Sequence, residues 1–313
     1  MDYKSKYLKY KNKYLNLINT IGGAFLDIAH HSNIGGRPYQ EDRLSIVELN
    51  IETRTAKGEK AFIFSIFDGH GGAGTSEYLN NNLPKRCKLR MEELEDFSKP
   101  DLIAKILQEE FEKIDNEDVP EMKKEYMGST GVMCIVTQMN IIVANIADSP
   151  AILFNKEGQI LFKTKIHDCY NLEELTRINK TALVPPVCMI YNGSTRLNLG
   201  RLKDGSNDRG LDMTRAFGDN AYKPKAAAIP DINILPRTSG QFLCMCSDSF
   251  LDSKLDRTAP KQKEQDIINE VLTQMNLYKE GEKYNLQRAV IYIVENRVRI
   301  VRGDNTTMIL VGL

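Results

Sequence analysis

Histidine is scarce in this chain. His30, His31, His70 and His167 are the four that 313 residues hold, so a histidine-rich metal site is nearly excluded and any metal must be held by oxygen. Charge of one sign is lacking too. Forty-two Lys+Arg balance 42 Asp+Glu, which removes the net field that would argue for nucleic acid or a membrane surface as partner. No apolar stretch approaches the roughly 20 residues needed to cross a bilayer, so no integral membrane span is expected. No G-x-x-x-x-G-K-[ST] occurs, which excludes a nucleotide phosphate loop. The six cysteines (Cys87, Cys134, Cys169, Cys188, Cys244, Cys246) form no C-x-x-C pair, and three sit inside apolar strand-like runs. That pattern fits buried, reduced thiols in a cytoplasm-like compartment rather than a disulfide or zinc framework.

What is present is mostly short strands. Runs rich in Ile, Val, Phe and Cys occur at Phe25–Ile28, Leu44–Leu49, Ala61–Phe67, Val132–Thr137, Ile141–Ala147, Ala151–Phe154, Gln159–Lys163, Ile232–Leu235, Gln241–Cys246 and Thr307–Val311. Tight turns at Gln138–Asn140 and Lys156–Gly158 predict antiparallel meanders. Helical patterns cover Gly72–Leu83, ending before Pro84, then Asp101–Ile114, Pro260–Leu277 and Leu286–Val298. Strand groups interrupted by paired helices predict an α+β fold of two packed antiparallel sheets with helices outside. No repeat or low-complexity linker divides the chain, so one domain is expected, with an irregular surface insertion at about 181–207. Residues 1–23 carry Tyr and Leu at helical spacing with Lys between. They read as a membrane-surface or partner-binding helix or, the favoured reading, as a solvated leader before the domain; they lack the apolar core of a secretion signal.

Aspartate borders four strand runs: Asp68 follows AFIFSIF, Asp148 follows IIVANIA, Asp248 follows QFLCMC, and Asp304 precedes TTMILVGL. One strand-end Asp is usually a turn former. Four, brought to one edge by neighbouring strands, repel one another and are costly to bury unless a cation neutralises them. Oxygen ligands of this kind favour magnesium or manganese. Arg37 stands four and five residues before Glu41 and Asp42, and its planar fork suits phosphate oxygens. In Phe67-Asp68-Gly69-His70-Gly71-Gly72 the glycines allow close backbone approach to an ion, and His70 titrates in the range of a proton donor to a leaving group.

These motifs together resemble the metal-dependent protein phosphatase 2C family, from about Ala24 to Leu313. GGRPYQEDRL is similar to that family's first motif and FDGHGG to its second. Gly128-Ser129-Thr130-Gly131 with Ala147-Asp148-Ser149 resembles its central strand pair, and Asp212-Met213-Thr214-Arg215-Ala216-Phe217-Gly218-Asp219 its (S/T)RA(L/F)GD element. Cys246-Ser247-Asp248-Ser249-Phe250-Leu251-Asp252 resembles its late acidic motif, and Gly303-Asp304-Asn305-Thr306-Thr307 its closing DN. The resemblance implies a four-layer αββα sandwich and hydrolysis of phosphoserine and phosphothreonine on proteins. It implies two Mg²⁺ or Mn²⁺ bridged by Asp68 and a hydroxide that attacks phosphorus in line. Asp248 and Asp304 would complete one ion's shell; the Gly69 carbonyl, Glu41 and Asp42 would serve the other. Arg37 would hold the phosphate and His70 would protonate the leaving alkoxide. No cysteine has an arginine six positions later, which agrees with chemistry that needs no thiol.

Departures from the family pattern are local. Ala147-Asp148-Ser149-Pro150 stands where Gly-Asp-Ser-Arg is usual, and Asp248-Ser249 where Asp-Gly is usual. Ile166-His167-Asp168-Cys169 replaces Asp-His-Lys-Pro, so a third ion, held by Asp252 and Asp168, is doubtful. The alternative reading is a pseudophosphatase that keeps the shape as a binding scaffold. Calcineurin-like metallophosphatases are excluded by the missing Gly-Asn-His-Glu and histidine ligands. Phosphorylated proteins are the expected partners, with no nucleic acid, and a cytoplasmic monomer is expected. The leader also resembles Lys-Tyr-Leu leaders on many giant DNA virus proteins, which would place the protein in host cytoplasm or virion.

Overall fold

Alternation along each strand decides which layer its side chains enter. In Gly131–Val136, Val132, Cys134 and Val136 point one way while Met133 and Ile135 point the other, and all are buried, so this strand has a core on both faces. A computed structural model describes residues 26–52, 57–180, 186–191, 194–202, 205–251, 264–301 and 303–313. Its principal elements begin with β1 (Asp27–Asn33), β2 (Arg43–Glu52), β3 (Lys57–Phe67), α1 (Gly74–Glu92) and α2 (Pro100–Asp115). Then come β4 (Gly131–Val136), β5 (Asn140–Ile146), β6 (Ala151–Asn155), β7 (Ile160–Lys163) and α3 (Leu172–Lys180). The chain closes with β8 (Asp231–Pro236), β9 (Gln241–Cys246), α4 (Glu264–Leu277), α5 (Leu286–Val301) and β10 (Thr306–Gly312).

Two five-stranded antiparallel sheets result, in the orders β1-β10-β9-β6-β7 and β8-β5-β4-β3-β2. Phe62, Phe64, Val132, Val143, Leu243, Met245, Ile309 and Val311 fill the space between them. The outer face of the second sheet is covered by α1 and α2, with Leu79, Leu83, Ile103 and Phe111 against Ile63, Met133 and Ile135. The outer face of the first is covered by α4 and α5, with Ile268, Val271, Val290 and Val294 against Cys244, Met308 and Leu310. This is the expected αββα sandwich, and it agrees with the antiparallel pairing read from the turns.

Three expectations need correction. Helix α1 does not stop before Pro84 but runs through it to Glu92. Pro84 removes one backbone bond, yet continuing the helix buries Leu83, Pro84, Cys87 and Met91, and that burial outweighs the break. The insertion is not irregular throughout: Val187–Tyr191 and Ser194–Asn198 pair as an antiparallel hairpin. Nor are all six thiols reduced. Cys169, just before α3, is bridged to Cys188 of the hairpin with Cα atoms 5.8 Å apart, while Cys87, Cys134, Cys244 and Cys246 are free and buried. The leader 1–23 and Asp252 lie outside the described residues. Among the described residues, no helix is long and apolar enough to cross a membrane.

Candidate active site

Both sheets end at the same edge of the sandwich, and the strand-end aspartates meet there. Asp42 leads into β2, Asp68 leaves β3, Asp148 leaves β5, Asp248 leaves β9 and Asp304 precedes β10. Burial, then the negative charges of Asp42, Asp248, Asp304 and Asp148, push the Asp68 carboxyl well above the usual carboxylate range. Asp42 is also raised, chiefly by burial, although Thr307 donates its hydroxyl to Asp42 Oδ2 at 2.6 Å. Five carboxylates are thus within electrostatic reach of one another.

Short local devices fix each of them. The Asp68 backbone is held by Thr130, whose N–H donates to the Asp68 carbonyl at 2.8 Å and whose hydroxyl accepts from the Asp68 N–H at 3.0 Å. Thr130 Oγ1 in turn meets Ser149 Oγ at 2.8 Å, which joins the Gly-Ser-Thr-Gly and Ala-Asp-Ser motifs. The Asn305 carbonyl oxygen accepts from the Glu41 N–H at 2.7 Å and its amide donates to the Ile34 carbonyl at 2.8 Å, stapling the Arg37 loop to Asp304. Gly35 (φ +62°) passes so close to the Asp304 carbonyl that a Cβ would lie 2.0 Å from it, which leaves glycine as the residue that fits. Arg297 donates to the Ser249 and Phe250 carbonyls at 2.8 and 3.1 Å and so holds the turn at Asp248.

Arg37 lies at the mouth, its side chain 42% exposed, 2.9 Å from Asp304 and 3.6 Å from Glu41. Its Nε donates to the Gly303 carbonyl at 2.7 Å. Glu41 is buried and accepts from the Gly72 N–H at 2.7 Å; Gly69 is buried between Glu41 and Ser76. On the far side, His70 donates a ring N–H to Asp219 at 2.6 Å. Burial lowers the His70 pKa, but the Asp219 charge and hydrogen bond outweigh it and leave the ring above its ordinary value. Asp219 was not singled out in the sequence, although it closes the Arg-Ala-Phe-Gly-Asp motif. The available signal is chemical, since a carboxylate beside a histidine favours the charged ring.

Among the described residues, no three His, Cys, Asp or Glu side chains converge at distances that would hold an ion as they stand. Glu41 and Asp304 are drawn to Arg37, and Asp42 to Thr307. The donor set nevertheless fits a small divalent cation. It is all oxygen, and the buried Asp42 Oδ1 has no hydrogen-bond donor. Asp168 is not part of this set's hydrogen bonding: its carboxylate accepts from the N–H groups of Tyr170 and Asn171 at 2.9 and 3.0 Å and so closes the turn that precedes α3.

An αββα sandwich with an acidic centre at one edge defines the class of fold. A sequence profile of that class, Protein phosphatase 2C, matches residues 29–287, and the chain belongs to this family. Bovine protein phosphatase 1L is 28% identical over 235 residues, 72% of this chain and 60% of that protein. A rice protein, probable protein phosphatase 2C 27, is 25% identical over 297 residues, 90% of this chain and 73% of its own. The chain spans 50% of the Arabidopsis relative, probable protein phosphatase 2C 11, at 29% identity. The crystal structure of a Toxoplasma gondii phosphatase 2C superposes with a TM-score of 0.69 at 19% identity, covering 92% of this chain and 95% of that one. The catalytic domain of the PstP phosphatase, solved with two manganese ions, gives 0.54 at 16% identity, covering 92% of this chain and 97% of that one. At such identities these likenesses show the fold.

Proposed function

We propose that the chain is an Mg²⁺- or Mn²⁺-dependent protein phosphatase acting on phosphoserine and phosphothreonine. The observation that supports this reading is the group of aspartates around Asp68, in which the Asp42 and Asp68 carboxyls are displaced upward while Arg37 pairs with Asp304 at the rim. Asp68, Asp248, Asp304, Glu41, Asp42 and the Gly69 carbonyl are the groups that would hold two divalent ions. When bound, such a pair activates water for attack on phosphorus and offsets the phosphate's charge. Arg37, exposed at the mouth, takes the phosphate oxygens by exchanging its ion pairs with Asp304 and Glu41 for bidentate bonds. His70 gives its proton to the departing Ser or Thr oxygen, and Asp219 keeps the ring oriented and charged until then.

Phosphorylated proteins are the substrates under this reading, and a monomer suffices because every group named belongs to one chain. Location in the cytoplasm fits the four free thiols, while the Cys169–Cys188 bridge argues against a strongly reducing compartment. The test is hydrolysis of a phosphothreonine peptide and of para-nitrophenyl phosphate with saturating Mn²⁺. Asp68→Asn is expected to lower kcat by about 10³-fold or more, the rate equivalent of several kcal/mol of lost electrostatic stabilisation. No turnover by the wild type at any Mn²⁺ concentration would leave a scaffold with the same shape.

A further inference from the structure

If His70 protonates the leaving oxygen, the substrate polypeptide departs from the His70 side and lies against whatever walls the His70–Asp219 pair. That wall is built from two segments locked together. The N–H groups of Asp219, Asn220 and Ala221 donate to the carbonyls of Met127, Lys124 and Glu125 at 2.9, 3.1 and 3.0 Å. Gly128 pairs with His70, and Gly71 (φ +69°) leaves no room for a Cβ against the Tyr126 carbonyl. Residues 123–128 and 219–221 therefore form one ledge beside the proton donor.

Beyond this ledge the insertion contributes Leu199, Arg201 and Leu202. With Lys123, Glu125, Tyr126, Asn220 and Ala221 they enclose a cavity of about 580 Å³, large enough for one or two side chains of a bound peptide. Its floor is partly apolar, from Leu199 and Leu202, and Tyr126 packs edge-on against Tyr222. Among the described residues, two cations and one carboxylate line it, an excess of one positive charge. Most other basic side chains near the site are spent: Arg37, Arg215, Arg177 and Lys223 all make ion pairs. Lys123 and Arg201 make none among the described residues, and both are exposed.

We propose that this cavity selects substrates carrying an anionic side chain close to the phosphorylated residue, with Lys123 and Arg201 as the specificity-determining cations. The inference rests on the phosphatase reading above, and on His70 as the group facing the leaving peptide. The anion is an Asp or Glu carboxylate or a second phosphate, and the peptides below separate the two.

The experiment measures kcat/KM on phosphothreonine peptides that are identical except for Asp, phosphoserine, Ala or Lys placed in turn from three residues before to three residues after the phosphothreonine. At one or two of those positions the Asp peptide is expected to exceed the Ala peptide about 3- to 10-fold, as two solvent-exposed ion pairs allow. The Lys peptide should fall below both, and the preference should fade as NaCl rises from 50 to 500 mM. Preference for phosphoserine over Asp would identify the second phosphate as the ligand. In the Lys123→Glu/Arg201→Glu double variant the Asp-to-Ala ratio should drop to one or lower. Equal kcat/KM for Asp and Ala at every position, or a ratio that survives the double reversal, overturns the proposal. Absence of turnover on para-nitrophenyl phosphate and all peptides alike would instead remove the phosphatase reading. The cavity is then judged by fluorescence anisotropy of the same peptides on wild type and double variant, and equal binding of Asp and Ala peptides by the wild type overturns it.

Discussion

Two groups of buried carboxylates lie in this fold, and their carboxyls are displaced in opposite directions. At the sheet edge, burial pushes Asp42 and Asp68 up, and the charges of Asp42, Asp248, Asp304 and Asp148 push Asp68 further. Beneath the insertion, Glu174 is also buried, and burial pushes it up as well. Hydrogen bonds from Arg215, Arg177 and Thr214 outweigh that and hold it at about 2. Arg215 reaches Glu174 at 2.6 Å and Asp231 at 2.9 Å, and His167 stands 3.2 Å from Asp231. His167 and Arg215 hold Asp231 well below the usual range. The second group carries its own cations, Arg177 and Arg215. The first has Arg37 at its rim, paired with Asp304 and Glu41, and it is the group to which the proposed function assigns the divalent ions. Buried acids alone are a weak indicator of function; buried acids whose neutralising partners are missing from the chain are a stronger one.

The largest expected difference comes from removing an acid from the self-neutralised group. Glu174→Gln should destabilise the fold by about 3 kcal/mol, because it strands buried guanidinium charge. The sign with pH follows from the depressed carboxyl. Its contribution is fully present above the unfolded value of 4.5 and is lost as pH falls toward about 2. Urea unfolding at pH 6 and pH 3 should therefore show a large gap between wild type and variant at the higher pH and a small one at the lower. A gap that does not change with pH would mean that Glu174 stabilises by packing alone.

The same change at the sheet edge should act in reverse. With EDTA present, Asp68→Asn should stabilise the protein by about 1–3 kcal/mol, since it removes a charge that Asp42, Asp248, Asp304 and Asp148 all oppose. Mn²⁺ should raise the melting temperature of the wild type by preferential binding to the native state and leave the variant nearly unmoved. If Asp68→Asn destabilised the metal-free protein, the two groups would be alike and the contrast would fail.

The acidic edge was legible in the sequence because its signals are local: an aspartate directly at the end of an apolar run announces where that strand stops. Gly69, His70 and Arg37 were legible for the same reason, each lying within a few residues of such an acid. Asp219 was not, because its meaning lies in a contact with His70, 149 residues away. Asn305 stands beside Asp304 in one short motif, yet its bonds to Ile34 and Glu41 appear only when distant parts of the chain are folded together. The Cys169–Cys188 bridge depends on a hairpin whose short strands show little periodicity in sequence, so the segment reads as irregular. Pro84 misled in the opposite sense, a valid local rule overridden by the core that α1 covers.

A smaller effect sharpens the contrast from the backbone side. Ala147, just before Asp148, has φ +69°, a left-handed conformation that costs a residue with a Cβ about 1–2 kcal/mol. It is strained at the acidic edge, where its carbonyl accepts from the His167 N–H at 3.0 Å and thereby links the two carboxylate groups. Ala147→Gly would relieve the strain but give the unfolded chain about 0.5–1 kcal/mol more entropy to lose. Its Cβ also touches Met213 and Ala216, and that contact would go. Strain relief less entropy leaves about 0.5–1 kcal/mol in favour of the glycine variant before the lost contact is counted, so its melting temperature is expected to rise by at most about 1–3 °C. A glycine variant that melts lower would show that packing against Met213 and Ala216 decides this turn, and that the strain beside Asp148 is not what limits its stability.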